Sequence, residues 1–234
     1  MEKNRTETCI RLDGVTKSFQ DKQVLDSLSM QFEAGCVHGV VGYNGCGKTV
    51  LLKCICGLMR PDSGTVRIVQ GGEEREANEM PTFGVVIETA GFIDRYDGYA
   101  NLKALADIRK KLTRTEIEQV MQKLGLDPRD RKKVKHYSLG MRQRLAIAQA
   151  IMEDPPVLLL DEPLNGLDYE GVKTVYQIIK EQRSRGKVIL VASHHEEDIR
   201  LLCDKVLWLN QATLSPIEDI NAYTMYDVKG RELA

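Results

Sequence analysis

Residues 9–19 and 28–32 contain alternating apolar positions, the mark of strands with one buried face. Cys36-Val37-His38-Gly39-Val40-Val41 is apolar almost throughout and reads as a buried strand. A glycine-rich loop follows. Beyond it, residues 50–59 have the length and composition of a helix, with Pro61 as the stop. Residues 65–69 read as a strand. Residues 70–80, with Gly71-Gly72 and four glutamates, read as a solvated hairpin tip.

The pattern turns helical from about residue 99 to 152. Thr115-Glu116-Ile117-Glu118 has the spacing of a capped helix start leading to Val120, Met121 and Leu124, with Gly125 and Pro128 as the end. The charged run 129–135 reads as a solvated connector. Thereafter strands at 157–160, 187–192 and 205–209 alternate with helices at 169–183 and 196–202. That alternation predicts an α/β fold, a mostly parallel sheet with flanking helices. The helical block, about 90–152, then falls as an insertion within a single domain spanning 1–234, and 210–234 is a short tail.

Composition narrows the classes. The 234 residues are 42% hydrophobic and 29% charged, the balance of a globular chain that can bury a core. Lys plus Arg number 33 against 34 acidic residues, a net charge of −1, which is not the basic footprint of a nucleic-acid binder. The longest aliphatic runs, such as 157–160 and 188–192, fall far short of the roughly 20 residues that span a bilayer. With the polar start MEKNRTET, these features predict a soluble, unsecreted chain. Six scattered cysteines read as reduced thiols, and four histidines suggest no metal-ligand cluster.

The chemistry sits in two places. Gly42-Tyr43-Asn44-Gly45-Cys46-Gly47-Lys48-Thr49 fits the phosphate-loop pattern G-x-x-x-x-G-K-[ST]. Its glycines let consecutive N–H groups turn toward phosphate oxygens, and the following helix adds its positive end. Lys48 is the charge for the β- and γ-phosphates, and Thr49 the hydroxyl for Mg²⁺. This chain is thereby expected to bind a nucleoside triphosphate. Cys46 reads as a small tolerated side chain, with a redox-sensitive thiol as the alternative. Downstream, the apolar strand 157–160 delivers Asp161 toward the metal and Glu162, one residue on, toward the water that attacks the γ-phosphate.

Over about 8–210 the chain resembles the ATP-binding subunit of ABC transporters. Tyr137-Ser138-Leu139-Gly140-Met141-Arg142-Gln143-Arg144-Leu145 is similar to the family signature Leu-Ser-Gly-Gly-Gln, with Ser138 and Gly140 matching, Leu139 in place of a glycine and Met141 in place of the glutamine. Pro163-Leu164-Asn165-Gly166-Leu167-Asp168 resembles the family's D-loop, and His194 its switch histidine, with His195 as its neighbour. Glu88 stands where most members carry a metal-sensing glutamine, and Phe19 where an aromatic stacks on adenine. The signature variant with Glu-Pro-x-Asn-Gly-Leu-Asp resembles the bacitracin- and lantibiotic-type exporters.

The resemblance implies a P-loop NTPase core with an N-terminal antiparallel β subdomain and an inserted helical subdomain. It implies ATP and Mg²⁺ as cofactors, with Glu162 and His194 catalytic. Phe19, residues 42–49, Ser138, Gly140, Asp161 and Asp168 are the implied nucleotide contacts, and Thr49, Glu88 and Asp161 the metal residues. Ser138 and Gly140 start a helix, an anion site best used on another molecule's γ-phosphate, since the phosphate loop already occupies one side of the nucleotide. Two chains, copies or relatives, would then pair head to tail. A separate integral-membrane permease is expected near 88–98, placing the chain in the cytoplasm against the inner face of the membrane. The alternative is a regulatory cassette that binds ATP and assembles with little turnover.

Overall fold

The computed structural model describes residues 8–76, 83–88, 91–109 and 112–219. The alternating N-terminal runs form β1 (Cys9–Phe19) and β2 (Lys22–Glu33), antiparallel partners. With β4 (Ser63–Gln70) and β5 (Glu73–Glu76) they make a four-stranded antiparallel sheet in the order β2-β1-β4-β5. The hairpin read at 70–80 is present over 70–76, with the exposed β5 as its outer strand, and 77–80 lie outside the described residues.

The second sheet has six strands in the order β10-β9-β3-β8-β7-β6. Its members are β3 (Cys36–Val41), β6 (Phe83–Val86), β7 (Val157–Asp161), β8 (Val188–Ser193), β9 (Lys205–Asn210) and β10 (Thr213–Ile217). All neighbours pair in parallel except β10, which runs antiparallel to β9 at the edge.

Both faces of this sheet are covered, which is why β7 before Asp161 and β8 before Ser193 are apolar in succession rather than alternating. Val157, Leu159, Val188, Leu190 and Ala192 face one core, shared with the antiparallel sheet and with α1 (Lys48–Ile55). Leu158, Leu160, Ile189 and Val191 face the other, shared with α2 (Gly98–Arg109), α3 (Arg114–Lys123), α4 (Leu139–Ile151) and α5 (Tyr169–Ser184). Strand alternation thus sorts successive residues of one strand into two separate cores. A short helix, α6 (Glu196–Leu202), connects β8 to β9 and packs Ile199 on Val206 and Trp208.

Several boundaries differ from the sequence expectation. Helix α1 stops at Ile55, short of 59, where Cys56 caps it and Gly57 turns with φ 73°. Helix α3 begins one residue after Thr113, not after Thr115. Thr113 Oγ1 accepts from Glu116 N, and Glu116 Oε2 accepts in turn from Thr113 N at 2.7 Å, a closed capping box. Both threonines have glutamate three places on. The earlier one is the cap, and α3 buries Ile117 and Met121. The connector 129–135 is largely exposed, as expected, apart from buried Val134 in a 3₁₀ turn. The tail beyond 219 lies outside the described residues.

Among the described residues no helix is long and apolar enough to cross a membrane. All six cysteines are free thiols.

Candidate nucleotide site

The C-terminal ends of β3, β7 and β8 are neighbours in the parallel sheet, and the phosphate loop, Asp161, Glu162 and His194 follow them. After β3 the chain curls through 42–47 and enters α1. Gly47 is the N-cap, with φ 116°, and a Cβ there would stand 2.6 Å from Val24 Cγ1. Only glycine fits both constraints, so the helix can open directly from the loop. Lys48 is buried, and its Nζ donates to the carbonyls of Gly42 at 2.6 Å and Tyr43 at 3.2 Å. The cation is thereby held inside the loop that it is expected to share with phosphate oxygens. Asn44 and Gly45 are exposed at the loop's tip, while the Tyr43 ring packs edge-on against Trp208. Burial pushes the Cys46 thiol up, which favours the small tolerated side chain over the redox-sensitive alternative.

Thr49 Oγ1 donates to Asp161 Oδ2 at 2.6 Å, joining the first turn of α1 to the end of β7. Burial raises the Asp161 carboxyl, and the nearby charges of Glu162 and Glu88 push the same way. A hydroxyl and a carboxylate side by side are hard oxygen donors, the type that suits Mg²⁺. Glu88 is turned elsewhere: its Oε1 pairs with Lys53 Nζ of α1 at 2.6 Å on the surface.

Glu162 leaves β7 with φ 49°, a left-handed turn anchored by its N–H on Ala192 O at 2.8 Å. Its side chain is gripped by the segment following β8. Oε1 lies 2.6 Å from His194 Nδ1 and accepts from His194 N at 3.1 Å, while Ser193 Oγ lies 3.1 Å from Oε2. Ser193 Oγ also lies 3.2 Å from Asp198 Oδ2, and burial raises that carboxyl. The histidine and the carboxylate expected to act together are thus in direct contact.

Ser138 and Asp168 both act as helix caps. Ser138 Oγ accepts from Met141 N at 3.2 Å at the start of α4, and Asp168 Oδ1 accepts from Gly171 N at 2.9 Å at the start of α5. Arg144 of α4 reaches Asp168 at 2.5 Å. The Gly171 N–H, reinforced by Arg144, holds the Asp168 carboxyl below its ordinary range. Gly140 packs so closely on the following loop that a Cβ would lie 2.8 Å from Gly166 O. Phe19 is 44% exposed at the end of β1, with Lys17 Nζ 5.6 Å above its ring, so it is a surface aromatic rather than a core residue.

Sequence reasoning missed two residues here. Gln143 Nε2 donates to Glu162 O at 3.1 Å and Pro163 O at 3.0 Å, tying α4 to the turn that carries Glu162. Its only signal is its place on the inward side of an amphipathic helix. Ser193 carried no signal beyond its position next to His194.

Comparison with known proteins gives this arrangement a family. Residues 25–165 match the family described as ABC transporter. The chain is 39% identical over 211 residues to an uncharacterized ABC transporter ATP-binding protein, YybJ, of Bacillus subtilis, covering 90% of this chain and 97% of that one. It is 32% identical over 239 residues to the bacitracin transport ATP-binding protein BcrA of Enterococcus faecalis, covering 97% and 77%. The ATP-binding subunit of an ABC transporter superposes with TM-score 0.81 at 22% identity, over 96% of this chain and 99% of that one. A dimeric ATP-binding cassette described as a post-hydrolysis state bound to ADP and Pi gives 0.78 at 20% identity, over 92% and 100%. The chain belongs to the ABC transporter family, among its ATP-binding subunits.

Proposed function

We propose that this chain hydrolyses ATP to power export of a peptide antibiotic or related amphipathic compound through a separate integral-membrane permease. The observation that carries the reading is the unbroken chain of contacts Thr49–Asp161 and Glu162–His194 across the ends of β7 and β8, beside the buried Lys48. The 42–49 loop and Lys48 take the phosphates, and Phe19 offers its exposed face to adenine. Thr49 and Asp161 would hold Mg²⁺, and Glu88, the third metal residue expected, would have to leave Lys53 to join them. Bound there, Mg²⁺ supplies charge neutralisation for the triphosphate oxygens.

Glu162 orients the attacking water and takes its proton, while His194, fixed by the same carboxylate, contacts the γ-phosphate. Little covalent help is needed, because positioning and charge stabilisation provide most of the acceleration in phosphoryl transfer. Ser138 and Gly140 close the site of a second, head-to-tail subunit, a copy or a related ATPase, and Asp168 holds the adjoining loop. Hydrolysis removes the γ-phosphate from that interface and lets the subunits part. The similarity to BcrA and to the lantibiotic transport ATP-binding protein SrtF of Streptococcus pyogenes, 31% identical over 195 residues, supports the export reading. The permease places the chain on the inner face of the membrane.

Steady-state ATPase assays of the wild type and Glu162→Gln test this reading. A general base contributes roughly 10²–10⁴-fold, so the variant should lose at least a hundredfold in turnover. Equal, negligible rates in both would favour a cassette that binds ATP without turning it over.

A further inference from the structure

We propose that Glu162, His194 and His195 form an inhibitory site for a transition-metal ion of the Zn²⁺ type in the nucleotide-free chain. A count of four histidines suggested no metal cluster. The fold nevertheless brings these three together, each offering a ligand atom, all within 4.8 Å of one another. Successive residues of an extended strand point to opposite sides, yet the backbone leaves β8 at this point and sets the two imidazoles 3.9 Å apart with a 40° tilt. His195 is the N-cap of α6 but makes no side-chain capping bond, so capping does not occupy its ring.

Two imidazoles and one carboxylate are a donor set that Zn²⁺ binds strongly, with a fourth position left for water. Ligand distances of about 2.0–2.2 Å put tetrahedral donor atoms roughly 3.4 Å apart, so small side-chain rotations complete the shell. Ser193 Oγ, 3.1 Å from Glu162 Oε2, steadies the carboxylate from behind. Mg²⁺ prefers the all-oxygen pair Thr49 and Asp161, so the two metals select different donors. Zn²⁺ seated here withdraws Glu162 and His194 from the reaction while leaving the phosphate loop free. The inhibition rests on the roles proposed above for Glu162 and His194; capture of the metal rests on geometry alone.

The test uses two readouts on wild type and His195→Gln. Nucleotide-free protein is titrated with Co²⁺ as a spectroscopic stand-in, and ATPase at saturating ATP and Mg²⁺ is then measured against buffered Zn²⁺. Wild type should show visible ligand-field bands that Zn²⁺ bleaches, without thiolate charge-transfer absorption, and His195→Gln should lack them. The variant should keep the wild-type rate without Zn²⁺ and need at least about tenfold more Zn²⁺ for half-inhibition, as expected when a ligand is lost. Unchanged bands in the variant, thiolate absorption, or equal Zn²⁺ sensitivity would each overturn the proposal. If neither protein hydrolyses ATP, the catalytic reading fails, and the Co²⁺ spectra still decide the metal site.

Discussion

Leu139 stands where the family signature has a glycine, and it covers another glycine. Gly166 has φ 72°, and a Cβ built there would meet Leu139 Cδ2 at 2.4 Å, Cγ at 2.5 Å and Cβ at 3.2 Å. Gly166→Ala therefore carries two separable penalties. Placing alanine in the left-handed region costs between about 1 and 2 kcal/mol. Leu139 must also swing outward. It is already 59% exposed, so roughly two fifths of a leucine's burial is lost, about 1 kcal/mol.

The sum is about 2–3 kcal/mol in the wild-type background. In Leu139→Ala the Cγ and Cδ2 atoms are gone and the remaining 3.2 Å contact can relax, leaving only the backbone cost. A double-mutant cycle by urea unfolding, read from midpoints at constant slope, should give a coupling of about 1 kcal/mol. Independent sites add within roughly 0.3–0.5 kcal/mol. An identical cost for Gly166→Ala in both backgrounds would refute the contact and with it the idea that the signature's leucine braces the following loop.

Asp161→Asn should separate stability from activity. Burial lifts the folded-state pKa of Asp161 above its ordinary 3.8, so the folded chain holds this proton more tightly than the unfolded chain and the ionised form opposes folding. In thermal unfolding without nucleotide, the variant should be more stable than wild type at pH 7.5. The gap should narrow as pH falls toward 3.8, and ATPase should be absent; a less stable variant at pH 7.5 would contradict the sign. Thr113→Ala removes the capping box at the start of α3 and should cost about 1 kcal/mol in urea unfolding with unchanged ATPase. Thr115→Ala should cost much less, and the reverse order would return the cap to Thr115.

The chemistry was legible because it is local. The phosphate loop is one contiguous string, and β7 announces itself by burying both faces just before Asp161 and Glu162. The strand–helix alternation of the last third was likewise explicit, since the helical patterns of α5 and α6 separate the continuous apolar runs of β7, β8 and β9. What stayed hidden depends on partners distant in sequence. The edge strand β10 follows a turn in which Gln211 and Ala212 both take positive φ, 44° and 64°. Such turns usually advertise themselves with Asn-Gly or Gly-Gly, and this one carries neither. The contacts of Gln143 with the Glu162 turn, the diversion of Glu88 to Lys53, and the meeting of two histidines with Glu162 are products of tertiary packing, to which no residue spacing points.

The central claim is that ATP is shared between two subunits, held by the loop of one and closed by the Ser138 helix start of the other. The most direct measurement is the mass of Glu162→Gln in solution, by size-exclusion chromatography with light scattering, with and without ATP and Mg²⁺. The account predicts a monomer without nucleotide, a dimer with ATP, and loss of that dimer when Ser138→Arg is added while labelled ATP still binds. A mass that ignores ATP, or an ATP dimer untouched by Ser138→Arg, would contradict it.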